Sequence, residues 1–511
     1  MKMCTLALVV LLAALILPAC NGSDDSTQTK RQDLVVCLAK SPLNLDPRYN
    51  TDAASFRITQ VLFNGLVKKG PDMTLLPDLA ERCELVNDVT WVFHLRRGVK
   101  FHNGREMKAA DVAYTFQSIL DPEYKSPKRQ SFVQVESIEV KDDFTVIFHT
   151  REPFAPLLVN LTLGIVPAQE AQAAGEDFAA HPVGTGPFKF VSQEADQKVD
   201  LAAFDDYFLG KPGVRALTYR IIQDDTTRYL ELIKGNLDFV QNAITSDMVP
   251  VVENKKEFQV VKNQGTNYEY LAFNFKDPIL KNRNVRAAIA HALNIPEMIT
   301  SLLRGLAVPA TGLLPPDHWA YEPDVPRYPF DPALANRLLD EAGYPRQQDG
   351  FRFALTYKTS LSDQARLKAE IIQQELKEVG IKLDIRGYDW GTLFSDIKVG
   401  NFQIYSLQWV GISEPDIFYY CFHSDSVPPA GANRGLYLNP NLDALIEAGR
   451  RTMDNGQRKS IYSEIQKIVA RDLPYVSLWY PTNVVIMKEG LRGFTPYPDG
   501  DLSDLWKVSW K

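Results

Sequence analysis

Between residues 351 and 386 the hydrophobic pattern changes period twice, and this limits the fold more than any other feature of the chain. Phe351, Phe353, Leu355 and Tyr357 alternate as a strand does. Ala365, Ala369, Ile372, Leu376 and Val379 then fall on one face of a helix, which Gly380 ends. Ile381, Leu383 and Ile385 alternate again. Strand, helix and strand in about 35 residues make a βαβ unit, whose crossover joins parallel strands. The fold class is therefore α/β. A similar unit is expected earlier, with strand 217–222, helix 226–234 stopped at Gly235, and strand 237–240. Val285, Ala288, Ile289, Ala292 and Leu293 carry helical spacing. Asp331-Pro332 reads as a cap and first-turn proline, with Leu334, Leu338 and Leu339 as the buried stripe and Gly343 as the stop. From about residue 66 to 180 the texture is antiparallel: Trp91, Phe93 and Leu95 alternate, an Asn103-Gly104 turn follows, and Val146, Phe148 and Thr150 make another strand. No long linker follows residue 33, so domains are expected to be discontinuous and joined by short crossings.

At 511 residues the chain is long enough for several domains. Its 56 basic and 63 acidic residues give a net charge of −7, which lacks the basic excess of a nucleic-acid partner. Leu6 to Leu17 is wholly apolar, too short to span a bilayer but within the range of a secretory signal. The following Leu17-Pro18-Ala19-Cys20 resembles a bacterial lipobox, so residues 1–19 are expected to be a lipoprotein signal peptide. Cys20 would be the lipidated first residue of the mature protein and its membrane anchor, with 20–33 a flexible tether. Ordinary signal cleavage is the alternative. Cys37, Cys83 and Cys421 leave at least one thiol free, and small buried hydrophobes explain them more simply than a bridge.

Catalytic patterns are absent. The chain has no Gly-x-Ser-x-Gly, His-Glu-x-x-His, Cys-x-x-Cys or Gly-Lys-Ser/Thr, and its seven histidines form no pair at ligand spacing. Gly184-Thr185-Gly186-Pro187 lacks the amide donors of a phosphate cradle and reads as a turn into a strand at Phe188 and Phe190. Asp224-Asp225 next to Thr226 reads as a helix start rather than a metal pair. No metal or other cofactor is expected, and an enzyme would need dispersed catalytic residues.

The segment from Leu79 to Leu120 resembles the defining stretch of solute-binding protein family 5, the extracytoplasmic dipeptide-, oligopeptide- and nickel-binding components of ABC importers. Leu45-Asp46-Pro47, Gly184 to Phe188, Asn284 to Ile289, Trp409 with Glu414-Pro415-Asp416, and Leu473-Pro474 match further family landmarks in order. Lys108 stands where relatives carry a Thr cap, which weakens the helix beginning at Ala109 by ~1 kcal/mol. The resemblance implies a periplasmic-binding-protein-like two-lobe fold with an extra inserted domain. Lobe I would combine 34–65, 185–275 and 486–511; the inserted domain II would be 66–184, and lobe II 276–485. It also implies a monomeric receptor on the periplasmic side of the bacterial envelope, handing a small peptide or similar solute to ABC transporter permease subunits by hinge closure. The rival solutes are a nickel chelate, a sugar oligomer or haem; a sensor or chaperone that does not transport is the remaining alternative.

Peptide-binding relatives hold an extended ligand by main-chain hydrogen bonds from both lobes. The resemblance places Ser41, Pro42, Leu43 and Asn44 at one cleft edge and Gln408, Trp409, Val410 and Gly411 at the other. Trp409 reads as cleft wall or core, and Tyr480 equally as either. Relatives often carry an amine-binding Asp three residues after this Trp, where this chain has Ile412. Glu414 or Asp416 takes the amine from a shifted position, or the ligand lacks an ammonium group; Glu414 as a mere helix cap is the plain alternative. Asn433 and Arg434, in a glycine-flanked loop, would meet a ligand carboxylate or stay solvated.

Overall fold

The computed structural model describes residues 32–511, so the expected signal segment, Cys20 and nearly all of the tether lie outside the described residues. Residues 32–511 form one compact unit. Asp33 already begins a strand, Asp33–Leu38.

Among the described residues, twelve strands make the main sheet. Its path runs Ile381–Tyr388, Phe353–Ser360, Ile404–Trp409, Tyr268–Phe273, Tyr475–Lys488, Phe239–Gln241, Asp33–Leu38, Ala216–Ile221, Lys198–Ala203, Phe188–Glu194. The βαβ unit lies at one edge: Phe353–Ser360 and Ile381–Tyr388 pair in parallel from Phe353/Ile381 to Ser360/Tyr388, with the helix Asp363–Glu378 between them. Gly380 ends that helix at φ +80°, where a Cβ would be strained. In the earlier unit, Ala216–Ile221 and Phe239–Gln241 do not pair with each other. Asp33–Leu38 enters between them and pairs in parallel with both, a strand from a distant part of the chain that local periodicity cannot reveal.

The long strand Tyr475–Lys488 unites the two halves. Its first part pairs with Tyr268–Phe273 and Ala307–Pro309, and its second with Phe258–Gln264 and Phe239–Gln241. Each half of the sheet has apolar cores on both faces. In one, Leu355, Ile372 and Ile381 pack on one face, and Tyr405, Ile446 and Tyr462 on the other. In the second, Val36, Ile58 and Leu217 pack on one face and Leu232, Val240 and Ile486 on the other. The helix Pro332–Glu341 centres its buried stripe on Ala335 and Leu339, with Leu334 and Leu338 at its margins, and Asp331 accepts the Leu334 N–H at 2.8 Å.

A separate antiparallel sheet, in the order Ala80–Asn87, Thr90–Leu95, Thr145–Thr150, Val135–Asp142, packs with the helix Ala109–Leu120 around its own core of Phe93, Phe116 and Phe148. Lys108 cannot accept a hydrogen bond, and the helix start is held instead by Asp111, which accepts the Lys108 N–H at 2.9 Å. The glycines at 184 and 186 serve packing: a Cβ at Gly184 would lie 2.0 Å from the Leu62 carbonyl oxygen. Cys37 and Cys421 are buried but Cys83 is exposed, which corrects the buried expectation there, because it sits on the outer strand of this second sheet. All three thiols are unpaired.

Candidate functional site

A cavity of about 620 Å³ opens between the two halves of the main sheet and the antiparallel domain. Its size is that of a small-molecule or short-peptide site. Helix α1, Ala53–Leu62, forms one wall. Asp52 caps it by accepting the Ser55 N–H at 2.8 Å. Ala54, Ile58, Val61 and Leu62 point into the core. Helical periodicity then turns Ala53, Phe56, Arg57 and Gln60 toward the cavity. Gln60 donates to Asp501 at 2.9 Å and accepts the Leu502 N–H at 3.1 Å, which ties α1 to an acidic stretch, Asp499 to Asp504, that forms the adjoining wall. There Asp499 pairs with Lys69 and Asp504 with Lys507.

The opposite wall is the loop that leaves the strand Ile404–Trp409. Gly411, at φ +66°, donates its N–H to Asn267 Oδ1 at 2.9 Å and faces Asp499. Val410 and Glu414 line the same wall. Glu414 pairs with Arg458; burial pushes its carboxyl up to about 7 against that pull. Asp416 pairs with Arg450 at 2.8 Å and is likewise raised by burial. Both candidate amine-binding carboxylates thus already face a guanidinium.

Trp409 stands behind this loop rather than on the cavity lining. It is half-buried, stacked on Tyr270 at 6.1 Å, with Tyr420 edge-on at 5.9 Å and the Arg434 guanidinium 5.1 Å from its ring centre. The antiparallel domain supplies the third wall through Lys68, Asp78 and Lys128. Asp78 is 2% exposed and accepts from Asn64 at 2.9 Å. Burial raises its carboxyl to about 6, against the pull of Lys68, the Asn64 amide and Arg96.

Of the residues singled out from the sequence, the structure brings Val410, Gly411 and Glu414 to the cavity. Ser41 donates to Asp196, Pro42 is buried, and Leu43 is 78% exposed. The Leu43 and Asn44 amides donate to Ser55 Oγ at 2.8 and 3.0 Å, so this segment braces the start of α1 from outside the lining. Gln408 is exposed. Asn433 is buried, donating to the His423 and Tyr437 carbonyls and accepting the Tyr437 N–H. Arg434 is buried between the Trp409 and Phe394 rings. Tyr480 is buried, its hydroxyl 2.7 Å from the Gly312 and Leu314 carbonyls. Sequence reasoning missed the exposed face of α1 and the Asp499–Asp504 wall. The first shows no apolar periodicity, since Ala53, Phe56, Arg57 and Gln60 differ in character; the second is legible only as an acid-rich run. Among the described residues no group of three His, Cys, Asp or Glu is placed to hold a metal, and no helix is long and apolar enough to cross a membrane.

Comparison with known proteins gives a consistent pattern. The chain is 29% identical over 531 aligned positions to the oligopeptide-binding protein AppA of Bacillus subtilis, covering 98% of this chain and 97% of that one. It is 28% identical to haem-binding protein A of Haemophilus influenzae, covering 96% of each. The solved structure of B. subtilis AppA in complex with a nonapeptide superposes with a TM-score of 0.84 at 28% identity, over 94% of this chain and 100% of that one. The family model for bacterial extracellular solute-binding proteins, family 5, matches residues 74–428. The chain belongs to that family, and is a solute receptor rather than an enzyme.

Proposed function

We propose that this protein is the substrate-binding lipoprotein of an ABC importer, capturing a peptide-like solute between α1 and the Val410–Glu414 loop and presenting it to a membrane permease by closure. The observation that carries this reading is the 620 Å³ cavity whose walls come from both halves of the sheet. A ligand there touches both halves only when they are together, so its differential affinity shifts the open–closed balance. The partition into lobe I (34–65, 185–275, 486–511), inserted domain (66–184) and lobe II (276–485) belongs to this proposal; the separate cores of the two halves and the antiparallel domain support the three parts, although Leu271 and Phe273 pack in the lobe II core and Val485 in the lobe I core, so the crossings fall at 265–267 and 481–483. So does anchoring of a monomer on the periplasmic side through lipidated Cys20, supported by the lipobox-like run before it. The peptide named with AppA supports a peptide-like solute. The likeness to haem-binding protein A supports a second reading, a larger non-peptide solute.

Native mass spectrometry of the purified chain tests the choice. A co-purified mass in the range of short peptides, displaced by an added tripeptide pool, is the expected result. A tightly held tetrapyrrole mass contradicts the peptide reading and favours the second, whereas a chemically altered solute contradicts the receptor role itself.

A further inference from the structure

Buried guanidinium groups in this chain are satisfied by acceptors. Arg228 donates to the carbonyls of Ala243, Ile222 and Gln223 at 2.6–2.8 Å. Arg286 donates to those of Leu280, Lys281 and Asp472. Arg48 pairs with Asp46, and Arg458 with Glu414. Arg57 departs from this rule. It lies partly buried on the cavity face of α1, and among the described residues its side chain has no ion pair, hydrogen bond or ring contact. Burial lowers its pKa, the mark of a cation that has lost water without gaining a counter-charge.

The other charges in the cavity do not supply one. Asp499 is taken by Lys69, Asp504 by Lys507 and Glu414 by Arg458. Asp501 accepts from Gln60 and from the Ser503 N–H, and Asp52 caps α1. Asp78 is buried against Asn64. Lys68 and Lys128 line the cavity without an ion pair, and Lys128 is desolvated as well. Asp52, Asp78 and Asp501 meet neutral donors, and among the described residues no ion pair reaches Arg57.

We propose that Arg57 is a specificity-determining residue that holds a carboxylate of the bound solute. The inference rests on the cavity being the solute site, as argued above. A guanidinium presents a planar fork that matches a carboxylate, so the pair forms two parallel charge-assisted hydrogen bonds. Two sources offer this chemistry, the α-carboxylate of a peptide and an acidic side chain.

Four probes separate them: Ala-Glu-Ala and Ala-Gln-Ala, each as free acid and as C-terminal amide, titrated calorimetrically into the full chain after solute removal. Arg57→Gln weakens the free acid of Ala-Glu-Ala roughly 10- to 100-fold and leaves the amide of Ala-Gln-Ala within about 3-fold of wild type. Arg57→Lys recovers part of the loss, which separates lost charge from disturbed packing. If the loss vanishes on amidation, the α-carboxylate is the partner; if it vanishes on Glu-to-Gln exchange, the side chain is. Equal weakening of all four probes, or none for the acidic ones, overturns the inference while leaving the site reading intact. Failure of every probe to bind the wild-type chain overturns the peptide reading, and the inference with it.

Discussion

Asp78 shows how a single carboxylate in the wall of the cavity sets a pH dependence. Burial raises it from the ordinary carboxyl value to about 6. Below pH about 4 it is protonated whether the chain is folded or not. Above that, the unfolded chain loses the proton first, so the folded state loses stability as pH rises from about 4 through 6. Asp78→Asn does not titrate and keeps the shape, so the variant gains on wild type by about 2 kcal/mol between pH 4 and pH 8. Urea denaturation at both pH values checks this, and a variant that loses ground as pH rises contradicts it. In the loop after the strand Ile404–Trp409, Glu414 and Asp416 are held by Arg458 and Arg450, and the residue three positions after Trp409 is Ile412. No carboxylate there is left to take a peptide ammonium group. N-acetylated dipeptides should thus bind within about 3-fold of their free-amine forms, since a lost charge-assisted contact would weaken binding 10-fold or more. Calorimetric titration of matched pairs measures the ratio; a strong free-amine preference, abolished in Glu414→Gln, contradicts it.

At the scale of elements, the chain passes between the halves of the sheet twice, at residues 265–267 and 481–483, and the passes touch. A Cβ at Gly265 would lie 2.4 Å from the Pro481 carbonyl oxygen. Thr266 donates its N–H to the Pro498 carbonyl at 3.0 Å, and the Asn483 amide reaches the same oxygen at 2.6 Å, so the crossings brace the strip that leads to Asp499. Gly265→Val, away from the cavity lining, should destabilise the fold by about 2–3 kcal/mol through overpacking; a urea midpoint equal to that of wild type would show that the crossings have slack. Elements of this kind divide sharply in how far sequence reveals them. The Phe353–Tyr388 unit was legible because each segment buries one face, so its period survives in composition. Tyr475–Lys488 was not: most of it is buried on both faces, which erases alternation, and its four partners come from distant parts of the chain. The site divides the same way. Val410, Gly411 and Glu414 were reachable through a family landmark, whereas Arg57 was not, since one arginine on an amphipathic helix ordinarily faces water. Ser41 to Asn44 follow a core strand in sequence but turn to brace α1, a path set by Ser55 rather than by local pattern.

Across the whole molecule, contacts bridge the two halves of the sheet, and the antiparallel domain and the helix Pro440–Arg451. The Lys40 ammonium lies 5.4 Å from the Trp390 ring centre. Arg451 pairs with Glu152 at 2.5 Å, the Ala155 N–H donates to the Arg450 carbonyl at 2.9 Å, and the Arg450 guanidinium sits 5.2 Å from the Phe154 ring centre. The Lys40–Trp390 and Arg451–Glu152 contacts are exposed and individually weak, ~0–1 kcal/mol for a surface ion pair, so they can break when no solute bridges the walls. On the proposed closure mechanism, the receptor rests on a small free-energy difference between two shapes, and the solute tips it. Small-angle X-ray scattering of the solute-stripped chain, with and without a saturating tripeptide pool that raises its melting temperature, measures this shift directly. A smaller radius of gyration is expected when the pool is present; superimposable profiles despite the stabilisation would contradict closure.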